Sequence, residues 1–225
     1  MSPAATTPAA TTGVTTKSAQ GTENSRSWTV ELRNRIVGIV PPGQALPDRQ
    51  PVYVSSWIYV FGMATLASLG VIIISGIILA TRGSTWWHVS GLGHFVNSVH
   101  LWSVEIFFVT LTVHLWGKFW MAAWRGKRGL TWMTGMVAFL ASIGTAFTGY
   151  LSQSNFEAQW IGAEGKDGIN SVAAGGFFNV LNQSQMLLVH VALFPIVVGV
   201  IVLWHIVLVR RHGVVPPIGA EVPKP

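Results

Sequence analysis

Cysteine is absent from this 225-residue chain. That excludes disulfides and thiolate metal sites. Charge is scarce as well. Only 10% of residues are Asp, Glu, Lys or Arg, against about 25% in soluble domains. Apolar residues make up 50%, and mean hydropathy is +0.49. This is the composition of a membrane protein. Tyr occurs three times and Trp eleven times, and Trp is favoured at membrane–water boundaries. No cationic start is followed by an apolar core at the N-terminus, so no cleaved secretory signal is expected. Arg is too rare there for an organelle transit peptide. Basic residues outnumber acidic ones, fourteen to eight, and the pI is near 10.2. Such an excess can signal a nucleic-acid partner, but its placement here points elsewhere.

Residues 1–26 are rich in Ala, Thr, Ser and Pro without an apolar run, and read as a disordered tail. In residues 27–40, Trp28, Leu32, Ile36, Ile39 and Val40 form a helical stripe, with Glu31, Arg33 and Arg35 off it. The pattern predicts an amphipathic helix lying in the membrane interface. An ordinary soluble amphipathic helix is the plainer alternative. Pro41 and Pro42 end it, and residues 27–51 form this helix and a Pro-containing linker. Four stretches then approach or exceed the roughly 20 apolar residues that span a bilayer. They cover about 54–80, 95–117, 131–151 and 186–209. The fold expected for residues 52–212 is therefore an all-α transmembrane four-helix bundle, with a C-terminal tail at 213–225.

Charge sets the topology. Before the first stretch lie Lys17, Arg26, Arg33, Arg35 and Arg49. Between the second and third lie Lys118, Arg125, Lys127 and Arg128. After the fourth come Arg210, Arg211 and Lys224. The other two connections hold only Arg82 and Lys166. Both termini and the middle connection are expected on the cytoplasmic side. This topology accounts for the high pI without nucleic acid.

Ionisable side chains are costly within a bilayer, and their default reading there is functional. The second stretch carries His100 and His114, fourteen residues apart. The fourth carries His190 and His205, fifteen apart. Fourteen residues of helix advance roughly 21 Å and return within about 40° of the start. Fifteen give nearly the same rise, rotated about 60° the other way. Both stretches run from outside to inside, which pairs His100 with His190 near the outer surface and His114 with His205 near the inner one. The geometry suits two haems, each with two imidazole axial ligands. A lone histidine on an apolar helix is usually a hydrogen-bonded core residue, but four at matched spacing are harder to dismiss.

Glycines repeat the period. Gly62 and Gly76 are fourteen apart in the first stretch, and Gly135 and Gly149 fourteen apart in the third. A missing Cβ admits close approach of a flat ring. The alternative is plain helix–helix packing.

These features, with SVHLWS at 98–103, LTWMTG at 130–135 and TAFTGY at 145–150, resemble the cytochrome b subunit of quinol-oxidising cytochrome bc complexes. The fifteen-residue spacing and the chain length are closest to the short split form, cytochrome b6. The resemblance covers about residues 27–216. It implies two non-covalent b haems ligated by His100, His114, His190 and His205, with Gly62, Gly76, Gly135 and Gly149 packing against them. It further implies a second cytochrome b subunit carrying the remaining helices, an iron–sulfur (Rieske-type) subunit, a c-type cytochrome and a dimeric complex in an energy-transducing membrane. Quinol oxidised outside gives one electron to the iron–sulfur subunit. The other crosses to an inner quinone. By position, Phe147 and Tyr150 resemble residues of the outer quinol pocket. The family's Pro-Glu-Trp-Tyr element is absent, and in split forms it belongs to the partner. A covalently attached haem needs Cys and is not expected.

The chain departs from the family in three places. Leu151–Asn155 replaces a Pro-Trp-containing turn. Asn97 stands where the family commonly has Arg before the first histidine. Gln185 stands where the family often has Arg, five residues before His190. Glu105, the one acid inside a predicted span, lies about 140° from His100 and is expected to face away from the haem. It reads equally as a functional group, carrying protons to a quinone site or pairing with a neighbouring subunit, and as a locally satisfied polar group. His88 and His94 are expected in an exposed outer loop, His212 in solvent, and Trp86 and Trp87 at the interface. The connection 152–185, rich in Gly and Asn, is expected to lack helix. Two rivals remain. One is a dihaem membrane anchor relaying electrons for a dehydrogenase. The other is a haem-free scaffold or transporter, which leaves the histidine and glycine spacings unexplained.

Overall fold

The computed structural model describes residues 28–45, 51–217 and 219. The 1–26 tail, residues 46–50 of the linker and most of the C-terminal tail after 217 lie outside the described residues. The chain divides into two units, Met1–Gly38 and Ile39–Pro225. In the first, the expected amphipathic segment is helix α1 (Trp28–Ile39), with no buried residue. Glu31 stands in its first turn, where a carboxylate complements the helix dipole. It also accepts a hydrogen bond from Arg35 Nε at 3.1 Å, one turn on.

The second unit is all-helical, and no strand occurs among the described residues. Helix α2 (Pro42–Ala45) occupies part of the expected linker, with Pro42 at its first position. Four helical segments are long and apolar enough to cross a membrane: Trp57–Arg82, Gly91–Trp120, Gly126–Leu151 and Gln183–His212. Their main helices are α3 (Val60–Arg82), α5 (Gly91–Trp120), α6 (Gly129–Leu151) and, in the fourth span, α8 (Gln183–Leu188) and α9 (Phe194–His212). The second, third and fourth observed spans outrun their predicted stretches, because polar end turns that hydropathy does not count are helical, while the first is shifted to start three residues later. Ser90 illustrates the reason. Its hydroxyl accepts from Gly93 N at 3.3 Å and caps α5 four residues before the predicted start. His94 therefore sits in the first turns of α5, and His88 in a short helix, α4 (Ser84–Val89). Both are exposed. Trp87, expected at the interface, is only 6% exposed.

The bundle is built as two pairs. Helix α3 packs along α5, and α6 along α9, while the pairs touch one another sparingly. Apolar side chains such as Ile74, Val109, Leu140 and Leu203 point outward, as a lipid solvent requires. One end of the bundle carries Lys118, Arg128 and Arg210 and is tied by polar contacts. Tyr59 Oη donates to the Val215 carbonyl at 2.8 Å, and Tyr53 Oη to the Val214 carbonyl at 3.3 Å. His212, expected in solvent, is a half-buried strap. Its carbonyl accepts from Arg128 Nη2 at 3.3 Å, and its Nδ1 lies 3.1 Å from Thr131 Oγ1.

At the opposite end the connection 152–185 holds a sixteen-residue helix, α7 (Phe156–Ser171). Asn155 caps it, accepting from Ala158 N at 2.8 Å. Gly162, Gly165 and Gly168 hide it from propensity. Two of these have packing reasons. A Cβ at Gly165 would come within 2.8 Å of Phe147 Cζ, and one at Gly162 would press on Leu151 and Leu181. Beneath the helix lies a core of Leu151, Val180 and the fully buried Met186, with Phe147, Ile169 and Phe178 against it.

Candidate functional site

The two histidine-bearing spans face each other at two levels. His100 and His190 have ring centroids 6.2 Å apart and planes at 87°. At the basic end, His205 lies close enough to His114 to interact with it electrostatically. Each ring thus has a neighbour on the facing span at its own level.

The unequal spacings have a physical explanation. His190 lies in a π-helical turn, Val189–Leu193, between α8 and α9. A π turn takes in one residue more than an α turn. Fifteen residues through one π turn therefore give the same angular offset as fourteen in regular helix. Pro195, at the start of α9, supplies the cause. It has no N–H to donate, and in a regular helix its ring would press on the carbonyl four residues back, that of Val191. The π turn ends the regular ladder just before that clash. The sequence signal was Pro195 together with the spacing of fifteen.

Each glycine of the two pairs backs one imidazole. A Cβ on Gly76 would sit 3.1 Å from His100 Cε1, and one on Gly135 3.1 Å from His205 Cε1. On Gly62 it would sit 3.0 Å from His114 Cε1, and on Gly149 2.8 Å from His190 Nδ1. The glycine period copies the histidine period because each packed helix pair shares one register. The direct contact is with the imidazole ring.

Three imidazoles are fixed through Nδ1. His100 Nδ1 lies 2.9 Å from Ser75 Oγ, His205 Nδ1 3.0 Å from Thr134 Oγ1, and His190 Nδ1 2.9 Å from the Thr145 carbonyl. A carbonyl only accepts, so His190 carries its proton on Nδ1 and leaves Nε2 bare. Among the described residues, His114 Nδ1 is buried without a partner. Sequence reasoning missed Ser75, Thr134 and Thr145. The available signal was a hydroxyl residue directly before Gly76 and before Gly135.

A cavity of about 640 Å³ opens around the His100–His190 level, walled by Gly76, His100, Gly149 and His190. That lies within the roughly 300–1,000 Å³ of small-molecule and cofactor pockets. Its wall includes Phe147 and Tyr150. Glu105, exposed on α5, lines it as well. Tyr150 Oη donates to Glu157 Oε2 at 3.2 Å. Asn97 Nδ2 donates to Gln153 Oε1 at 3.4 Å across the cavity wall. Two uncharged amides thus meet where the family commonly places Arg. Gln185 turns away from the cavity, bonding Asn179 N and the Phe177 carbonyl.

Metal–imidazole bonds run about 2 Å, which places the centroids of two imidazoles on one metal roughly 6.4 Å apart. The 6.2 Å at His100–His190, the bare Nε2 and the glycine-backed rings together fit a bis-imidazole metal centre. Fold and site define a class: an integral membrane four-helix bundle with imidazole pairs at two depths. The family profile described as cytochrome b (N-terminal)/b6/petB matches residues 105–224. The chain belongs to this cytochrome b family, and membership implies haem b binding. The match contains His114, His190 and His205. His100, Gly62 and Gly76 precede it and stand on their geometry.

The chain is similar to a cytochrome bc complex cytochrome b subunit of Chlorobaculum thiosulfatiphilum, 33% identical over 141 residues. That match covers 56% of this chain and 32% of that protein. It is 24% identical to cytochrome b6 of Heliobacterium mobile, covering 83% of this chain and 98% of the relative. Its fold matches a chain of a hyperthermophilic respiratory Complex III with a TM-score of 0.66 and 20% identity, over 88% of this chain and 58% of that one. The chain thus spans about a third of the first relative's length.

Proposed function

We propose that this chain is the dihaem cytochrome b subunit of a quinol:cytochrome c or plastocyanin-type reductase. The observation that carries the reading is the pair of imidazole levels, each residue glycine-backed and supplied by a facing span. His100 and His190 would hold an outer haem b, and His114 and His205 an inner one. Gly62, Gly76, Gly135 and Gly149 give the rings room. Bound haem supplies one-electron transfer, here across the membrane between outer and inner quinone sites. The chain's own residues bind through Nε2, hold the proton on Nδ1 and exclude water from the span. Phe147 and Tyr150 are the proposed wall of an outer quinol pocket. There Tyr150 and Glu157 offer a phenol–carboxylate pair to a hydroxyl.

By charge placement, the end bearing Lys118, Arg125, Lys127, Arg128, Arg210 and Arg211 faces the cytoplasm of a bacterial cell membrane. In this reading α1 lies in the membrane interface. The partners are a second cytochrome b subunit, a Rieske-type subunit and a c-type cytochrome, in a dimeric complex.

The test is a pyridine haemochrome assay with protein quantification on the purified complex, with His114→Ala and His190→Ala beside the native chain. The expected result is two b haems per chain, with each variant losing a different one. Folded, membrane-extracted protein without stoichiometric haem would overturn the reading.

A further inference from the structure

We infer that the hydroxyls of Ser75 and Thr134 are positioning groups. They lock His100 and His205 in one tautomer and strengthen them as ligands, and Phe61 leaves His114 without that support. The inference rests on the four histidines being haem ligands, as proposed above.

A serine hydroxyl has one proton and two lone pairs. Ser75 Oγ lies 2.7 Å from the Val71 carbonyl and 3.1 Å from that of Ile72, both pure acceptors. Its proton is therefore committed to the helix backbone, and toward His100 Nδ1 at 2.9 Å it accepts. The imidazole proton is fixed on Nδ1, and Nε2 keeps its lone pair for a metal. Thr134 repeats the arrangement. Its Oγ1 lies 2.9 Å from the Thr131 carbonyl and 3.0 Å from His205 Nδ1. Carbonyl, hydroxyl and imidazole form a short relay in which each bond polarises the next. A hydrogen bond donated from the distal ring nitrogen raises the basicity of a ligating imidazole. A more basic ligand favours the ferric over the ferrous state and lowers the reduction potential.

The relay has a fixed address, the residue before the glycine that backs the ring. Ser75 precedes Gly76, and Thr134 precedes Gly135. Thr148 precedes Gly149, but its hydroxyl bonds the Gly144 and Thr145 carbonyls, and His190 donates directly to the Thr145 carbonyl instead. Before Gly62 stands Phe61, which has no hydroxyl, and His114 Nδ1 is the imidazole left bare. The His100–His190 level thus has two supported ligands and the His114–His205 level has one.

The experiment is an equilibrium redox titration of the haem absorbance on the purified complex. Low-spin ferric EPR and haem content are measured on the same samples. Ser75→Ala should raise one of the two midpoint potentials and leave the other. Ser75→Thr should restore it. Phe61→Ser places a hydroxyl at the missing address and should lower the other potential, with a change confined to the other EPR signal. Native haem content with both potentials unmoved in Ser75→Ala and in Phe61→Ser would overturn the inference. If Ser75→Ala loses haem, Phe61→Ser decides, because it adds a group and removes no ligand. Native complex without haem overturns the ligation reading, and this inference with it. Haem content separates that failure from a failure of the relay alone.

Discussion

The α3–α5 pair and the pair formed by α6 with the fourth span solve one problem in two ways. Each sets a glycine pair on one helix against a histidine pair on the other. In α5 the histidines are fourteen apart along unbroken helix. In the fourth span they are fifteen apart, and the π turn at Val189–Leu193 absorbs the difference. The site constrains angle and depth, not residue count. A count that breaks the angular rule is tolerated where the backbone has a local means of restoring it.

Single-residue deletions separate the two helix pairs most sharply. Removing Val109 from α5 rotates His100 about 100° relative to His114, since no irregular turn absorbs the loss. One haem per chain, instead of two, is the expected pyridine haemochrome result. Removing Ala192 from the π turn together with Pro195→Ala, so that regular helix can form there, should keep the offset and retain two. Loss of haem from this double change would refute the equivalence of the two pairs.

A smaller effect separates the glycines. A Cβ at Gly149 runs into the His190 ring, 2.8 Å from Nδ1 and 2.9 Å from Nε2, whereas at Gly76 or Gly135 the nearest ring atom is 3.1 Å away. Gly149→Ala should destabilise by about 1–3 kcal/mol, the range for overpacking, and deplete the haem proposed for His190. Gly76→Ala and Gly135→Ala should keep both haems and lose less. Thermal unfolding followed by haem absorbance ranks the three. The smallest effect belongs to the strap at the basic end. Arg128→Ala should cost about 1 kcal/mol, a typical net hydrogen bond, with haem content unchanged. The same thermal scan reads it.

The sequence made the spans and the four histidines visible because bilayer thickness and the helical repeat are strict constraints. The glycine spacing was equally visible, but its immediate target was not. Which ring each glycine backs depends on helix register, which only packing fixes. Helix α7 was hidden because glycine lowers propensity whatever its reason for being there, and at Gly165 that reason is Phe147, eighteen residues earlier. Ser75 and Thr134 look like ordinary small polar residues of membrane helices until the facing imidazole is in place. His212 was read as solvated from its neighbours in sequence, while its partners Arg128 and Thr131 lie more than eighty residues away.

The tyrosine clamps at the basic end bear on how the chain is closed. Tyr53 and Tyr59 hold the carbonyls of Val214 and Val215 against the start of the first span. Entrance and exit of the bundle are therefore neighbours, and the path is almost a loop. A circular permutant joining this exit to the first span, and opened between α7 and α8, would keep all four spans in their present neighbourhoods. For a chain that continues, the clamps also set a direction. Any segment appended after Val215 begins beside the first span, on the same side of the membrane as the loop between the second and third.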